Sequence, residues 1–322
     1  MRVAVTGAGG RLGRALLAAL DAATFADEAL AWDLPEHDLD DPDSAESLVA
    51  AARPDAVIHA AAWTDVDACA RDPELALRRN GRATGEMARA CAGRGIALVA
   101  ISTNEVFDGR RTDGRPYRPG DAPNPPNAYG RAKLAGELEA REAYGAGGDE
   151  FASAAERRAG GWDGPTDALP PLAIVRTSWL FGPPGLDFPG KILATARAAA
   201  AEGRTLDLVA DEMGCPTYAP DLASAVVRLL EAAAQRGPGA LGGIHHIVNA
   251  GSASRAEWAR EVLRLAGLEL PTRDVPLDTW PRPSAPPPWG VLAPTPLPGG
   301  LLRDWRSALG DYMTAPPQSK EQ

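Results

Sequence analysis

The chain predicts an α/β fold, a doubly wound parallel sheet that carries a smaller C-terminal lobe. Two observations lead there. Apolar, β-branched runs alternate with Ala/Leu/Arg-rich helical stretches from the first residues onward, the pattern of strand–helix–strand units and a parallel sheet. A glycine-rich turn then follows the first strand and opens the first helix, at the carboxyl edge where such sheets bind ligands.

Strand candidates lie at residues 2–6, 29–32, 56–60, 97–102 and 172–177, with helical patterns between them at 12–22, 44–52, 73–92 and 129–143. After the first strand comes Thr6-Gly7-Ala8-Gly9-Gly10-Arg11-Leu12-Gly13. In this spacing Gly7 permits a tight turn, Gly10 lets backbone approach a pyrophosphate, and Gly13 allows close helix–strand packing. The helix opening at Arg11 and Leu12 offers amide donors and the positive end of its dipole to phosphates. A dinucleotide cofactor is therefore expected here, with an ordinary tight turn as the competing explanation. Asp33 follows the second strand, where a carboxylate accepts hydrogen bonds from an adenosine ribose and repels a 2′-phosphate, with an ordinary loop acid as the plainer alternative. Leu34 rather than an arginine comes next, so NAD is slightly favoured over NADP; Arg11 keeps a 2′-phosphate open as an alternative.

Lys133, one of only three lysines, stands four residues after Tyr129 on the helical stretch 129–143. Positions i and i+4 share a helix face. An ammonium there favours the phenolate and lowers the pKa of Tyr129, as a proton-transferring acid requires. Packing of the ring on the lysine stem is the plainer alternative.

Residues 145–171 are rich in Gly, Ala, Asp and Pro and are expected to form a surface insertion between a helix and a strand. Beyond Trp179 the pattern shortens, with strands near 206–209 and 245–248 and helices near 222–234 and 255–266. Segment 276–300 is too proline-rich for regular helix, and residues 315–322 are expected to be a disordered tail.

Composition narrows the class. A formal net charge of -10 and the lack of any Lys/Arg-rich run argue against a nucleic-acid partner. No apolar run reaches membrane-spanning length, and the N-terminus enters a strand-like segment directly, so a cytoplasmic protein is expected. Cys69, Cys91 and Cys215 are odd in number and without CxxC spacing, as befits reduced thiols. His37, His59, His245 and His246 offer no metal-ligand spacing, so no metal is expected.

With these residues in place, the chain resembles the extended short-chain dehydrogenase/reductase family, and within it the dTDP-4-dehydrorhamnose reductase family, over roughly residues 1–310. Asp38-Leu39 is similar to the family's segment beside the adenine. Arg53-Pro54-Asp55-Ala56-Val57-Ile58-His59-Ala60-Ala61-Ala62-Trp63-Thr64 resembles "RPDVVINAAAYT", whose last residues, here Ala61, Ala62, Trp63 and Thr64, line the cofactor. Ile101-Ser102-Thr103, Tyr129 and Lys133 match the catalytic strand and helix. Arg176-Thr177-Ser178-Trp179 is similar to "RTSW", in which the tryptophan contacts a sugar, and Gly214-Cys215-Pro216-Thr217-Tyr218-Ala219 resembles "GxPTYA".

The resemblance implies a Rossmann-type NAD(P)-binding domain over 1–178, a lobe over 179–314 that mainly binds substrate, and NAD(P)H-dependent reduction of the 4-keto group of a nucleotide-activated deoxysugar. It makes Tyr129 the general acid, Lys133 the residue that tunes it and holds the nicotinamide ribose, and Thr103 the holder of the carbonyl oxygen. Thr103, Asn104 and Trp179 are the implied substrate contacts. A homodimer is left open.

Departures from the family pattern fall on the substrate side. Asn104-Glu105 stands where the family has Asp-Tyr, and Pro286, Trp289 and Gly290 stand where "YPTPAKRPANSVL" has arginine, asparagine and serine; Arg282 comes from a different backbone position. The hydride-transfer machinery is thus expected intact, with substrate recognition drifted. Two other functions stay open: an extended-family sugar epimerase with tightly held NAD⁺, and a non-catalytic binding protein like the reductase-related regulatory subunit of methionine adenosyltransferase.

Overall fold

The strand-forming runs are apolar at consecutive positions rather than alternate ones, which suits a sheet covered on both faces. The computed structural model, which describes residues 1–148, 151–152 and 170–314, has that arrangement. Strands β1 (Arg2–Thr6), β2 (Glu28–Trp32), β3 (Ala56–His59), β4 (Ala97–Thr103) and β5 (Leu172–Thr177) are joined by Gly243–His246 in one six-stranded sheet. The order is Gly243–His246, β5, β4, β3, β1, β2, and every pairing is parallel.

Helices α1 (Arg11–Asp21) and Ala219–Arg236 cover one face, where Leu12, Leu16, Leu20, Leu222, Val226 and Leu230 pack on Val3, Val5 and Ile58. Helices α2 (Ser44–Ala52), α5 (Ala83–Ala92) and α6 (Ala128–Ala143) share the other core, where Val49, Met87 and Ala140 join Ala4, Val57, Leu98 and Ile174. Each fully buried Val, Leu or Ile contributes about 1.5–3 kcal/mol relative to exposure. The strand near 245 therefore belongs to the main sheet rather than to the outer lobe. Its neighbours Ile244 and Ile247 are buried on opposite faces of that sheet, so a local pattern alone could not place it.

The helical stretch expected at 73–92 is not one helix. Short helices α3 (Val66–Arg71) and α4 (Pro73–Ala76) lead into a π-helical segment, Leu77–Arg82, before α5 resumes. The wider turn directs Asn80 at the loop after β3: its side chain accepts from Trp63 N at 2.8 Å and donates to Trp63 O at 2.9 Å. Gly81 admits the close approach of α6, since a Cβ there would stand 3.2 Å from Ala132 O.

The outer lobe packs helices Phe188–Ala201, Arg255–Leu265 and Trp305–Thr314 around Trp258 and Trp305. Most of the insertion expected at 145–171 lies outside the described residues, as does the tail expected at 315–322. Phe151, from that stretch, is buried in the α5–α6 core. Among the described residues, no helix is long and apolar enough to cross a membrane, and no His/Cys/Asp/Glu group is arranged for a metal ion.

Candidate active site

The winding direction reverses between β1 and β3, so a crevice opens beyond their carboxyl ends. A cleft of about 720 Å³ lies there. Gly7, Gly10, Arg11, Leu12 and Gly13 form one wall. Gly7 has φ +65°, and a Cβ on it would meet Ala61 Cα at 2.8 Å. A Cβ on Gly13 would stand 2.1 Å from Gly7 O, so helix and turn touch through this glycine. No side chain caps the first turn of α1, whose N-cap is Gly10, leaving backbone amides to meet an anion. These residues fit the diphosphate of a dinucleotide. Gly13→Ala should weaken dinucleotide binding at least about tenfold and cost roughly 1–3 kcal/mol of stability, readable by fluorescence titration and thermal unfolding; unchanged affinity would mean that the turn relaxes freely.

Asp33, Asp38 and Leu39 line the neighbouring part of the cleft. The Asp33 carboxylate accepts from Gly9 N and, at 2.9 Å, from Leu34 N, so it braces the glycine turn. Gly9 was not singled out from sequence; the reason for it is tertiary, since a Cβ would come 2.6 Å from Asp33 Oδ2. Arg11 turns away from this end and donates to Gly182 O and, at 3.2 Å, to Pro184 O. Ala61, Ala62, Trp63 and Thr64 also line the cleft, with Ala61 directly against Gly7. Asn80 fixes the Trp63 backbone there, and Arg79, paired with Asp40, lies 5.6 Å over the Trp63 ring.

Ile101, Thr103, Asn104, Tyr129 and Lys133 all line the same cleft. Asn127 caps α6 by accepting from Gly130 N at 2.8 Å. Gly130 lies so close to the turn after β4 that a Cβ would stand 2.1 Å from Glu105 O, and this seats Tyr129 beside Thr103. Burial and the charge of Glu105 raise the Tyr129 pKa, against a hydrogen bond with Thr103 that lowers it. The net direction is therefore up, with burial its largest cause, where the Lys133 spacing led to an expected lowering. Lys133 is itself buried, which brings its pKa down to about 8, while Glu137 holds it up. Its charge acts on His59, lowered mainly by burial to about 3 and thus neutral beside Thr6, with His59 Nδ1 2.9 Å from Thr6 Oγ1.

Glu137, one turn beyond Lys133, ties α6 to the sheet. Arg176 of β5 donates to it at 2.7 and 2.9 Å, and Ser102 of β4 also donates to it. Both partners of the ion pair are almost fully buried, at 2% and 3% side-chain exposure.

Trp179, the expected sugar contact, lines the cleft but does not offer an open ring. Its φ of +45° is in the left-handed region. The Arg255 guanidinium lies 3.6 Å over the ring, Trp258 stacks at 5.6 Å and 10°, and a Cβ on Gly214 would come 2.4 Å from Trp179 Cε2. Arg255 also lines the cleft, and no sequence signal pointed to it.

The departures from the family pattern fit one another. A Cβ on Gly290 would stand 2.2 Å from Asn104 Nδ2, so that glycine makes room for the buried amide. The Glu105 carboxyl accepts from Asn127 Nδ2 at 2.7 Å, and burial raises its pKa. Segment 276–300 is a strap held by Met213 N on Pro288 O and by Ser284 on Asp67. Pro286, Trp289, Gly290 and Arg282 do not line the cleft; Arg282 pairs with Asp67 at 3.4 Å.

Fold and cleft define an oxidoreductase of the extended short-chain dehydrogenase/reductase class. The chain belongs to the dTDP-4-dehydrorhamnose reductase family: the model of the RmlD substrate binding domain matches residues 1–146 and 166–316. It is 35% identical to the dTDP-4-dehydrorhamnose reductase of Mycobacterium tuberculosis (strain CDC 1551 / Oshkosh), across 99% of this chain and 94% of that protein. The crystal structure of a dTDP-4-dehydrorhamnose reductase from Clostridium acetobutylicum superposes with a TM-score of 0.80 at 27% identity, covering 97% of this chain and 98% of that one. The Bacillus anthracis enzyme in complex with NADP gives 0.77 at 27% identity, with the same coverage.

Proposed function

We propose that this chain reduces the 4-keto group of a dTDP-activated 6-deoxysugar with NAD(P)H, the activity of dTDP-4-dehydrorhamnose reductases. The observation that carries this is the meeting of Thr103, Tyr129 and Lys133 in the cleft that also holds the glycine turn. A reduced nicotinamide bound there supplies the hydride for the keto carbon. The Thr103 hydroxyl donates a hydrogen bond to the keto oxygen as negative charge develops. Tyr129 gives that oxygen its phenolic proton; burial keeps the phenol protonated until then. Lys133, with a pKa of about 8, is a cation at neutral pH. It would support the phenolate that remains and, with the cofactor bound, hold the nicotinamide ribose.

NADH is the proposed preferred cofactor, unlike the NADP held by the B. anthracis relative. Asp33, Asp38 and Asp40 line the cleft, and a 2′-phosphate bound beside them would meet negative charge. The nearby cations are engaged: Arg79 on Asp40, and Arg11 on two backbone carbonyls. With freshly generated dTDP-4-dehydro-6-deoxy-L-mannose, kcat/KM for NADH should exceed that for NADPH roughly tenfold, about 1.4 kcal/mol. A preference for NADPH refutes the cofactor assignment, and no oxidation of either cofactor refutes the substrate assignment. The three cysteines are free and buried, which supports a reducing, cytoplasmic setting.

A further inference from the structure

We infer that Arg255, rather than the ring of Trp179, receives the sugar, and that it does so by donating hydrogen bonds to ring hydroxyl oxygens beside the keto carbon; this rests on the reductase function proposed above. Three observations carry it. First, the Trp179 ring is occupied: Arg255 covers it at 3.6 Å, and Gly214 and Trp258 pack on it. A sugar cannot stack on the covered face without displacing the guanidinium.

Second, Arg255 is a built group. It is the first residue of the helix Arg255–Leu265, whose capping box joins Ser254 and Glu257. Its Nε and one Nη donate to Glu212 Oε1 at 3.1 and 2.8 Å, and the Glu212 side chain is 5% exposed. Arg255 itself faces the cleft. A guanidinium has donors only, so its partner in the cleft is an acceptor. The Glu212 carboxylate already balances its charge, which suits neutral hydroxyls better than another anion.

Third, the position is right. Trp179 comes just after Thr177, which pairs in register with Thr103 on the neighbouring strand. The charge of Arg255 is also felt at Glu105, whose own charge acts on Tyr129. Arg255 therefore sits at the reacting end of the cleft, not at the glycine turn.

The test separates sugar from nucleotide. Calorimetric titration of dTDP and of dTDP-rhamnose into the wild-type protein, Arg255→Met and Arg255→Lys, each with saturating NAD(P)⁺, reads each part of the ligand. Arg255→Met keeps a flexible apolar stem against Trp179. It should bind dTDP as wild type does and dTDP-rhamnose on the order of tenfold more weakly. Arg255→Lys should recover part of the loss. Equal weakening of both ligands, or of neither, in both variants would make Arg255 a mere clamp on Trp179 and overturn the inference alone. Wild-type protein that binds neither ligand would overturn the reductase reading, and this inference with it.

Discussion

Tyr129→Phe should lower kcat by about 10²–10⁴-fold, the range for loss of a positioned general acid, while dinucleotide affinity stays within about twofold of wild type. The phenol stands beside Thr103 because Gly130 lets the start of α6 touch the turn after β4. Phenylalanine keeps the ring and removes the hydroxyl that carries the proton. Wild-type turnover should also decline as pH rises through about 8, where Lys133 loses its proton and with it the cation that supports a phenolate. Steady-state kinetics across pH checks both effects. Undiminished turnover in Tyr129→Phe would remove the proposed mechanism.

Glu137→Ala carries the largest stability cost. It leaves Arg176 charged and unpaired at 2% side-chain exposure, a loss of about 3–5 kcal/mol. Urea unfolding should register it. The double variant Glu137→Leu/Arg176→Met should regain most of the loss, because a buried ion pair is replaceable by apolar groups of similar volume. Glu137 also holds the Lys133 pKa up, so both variants should move the alkaline decline of activity to lower pH. Unfolding at wild-type denaturant concentrations in Glu137→Ala would mean that Arg176 finds water or another acceptor.

What was legible in the sequence was local. Gly7, Gly10 and Gly13 declare themselves because a strand–turn–helix unit needs each at a fixed offset, and Tyr129 and Lys133 because four residues make one helical turn. The five strands from β1 to β5 follow from short apolar runs between helical patterns. The parts that escaped depend on contacts between distant segments. Nothing near Gly243–His246 says which sheet it joins, and the π-helical turn at Asn80 differs from an α-helix by one residue. Arg255 reaches Trp179 only through the packing of the outer lobe. The raised pKa of Tyr129 was illegible for the same reason: its causes are burial and the Glu105 side chain, while the sequence offered only the Lys133 spacing. Asn104 and Gly290 looked like two independent departures, yet the second makes room for the first.

Hydride transfer to a sugar ketone by the Thr103–Tyr129–Lys133 cleft is tested most directly by following the label from nicotinamide deuterated at C4, on the transferred face, into freshly generated dTDP-4-dehydro-6-deoxy-L-mannose. One cofactor should be oxidised per sugar reduced, with deuterium at the sugar C4, and both should be lost in Tyr129→Phe. Conversion of the sugar without net cofactor oxidation, as in an epimerase, or no conversion at all, would contradict it.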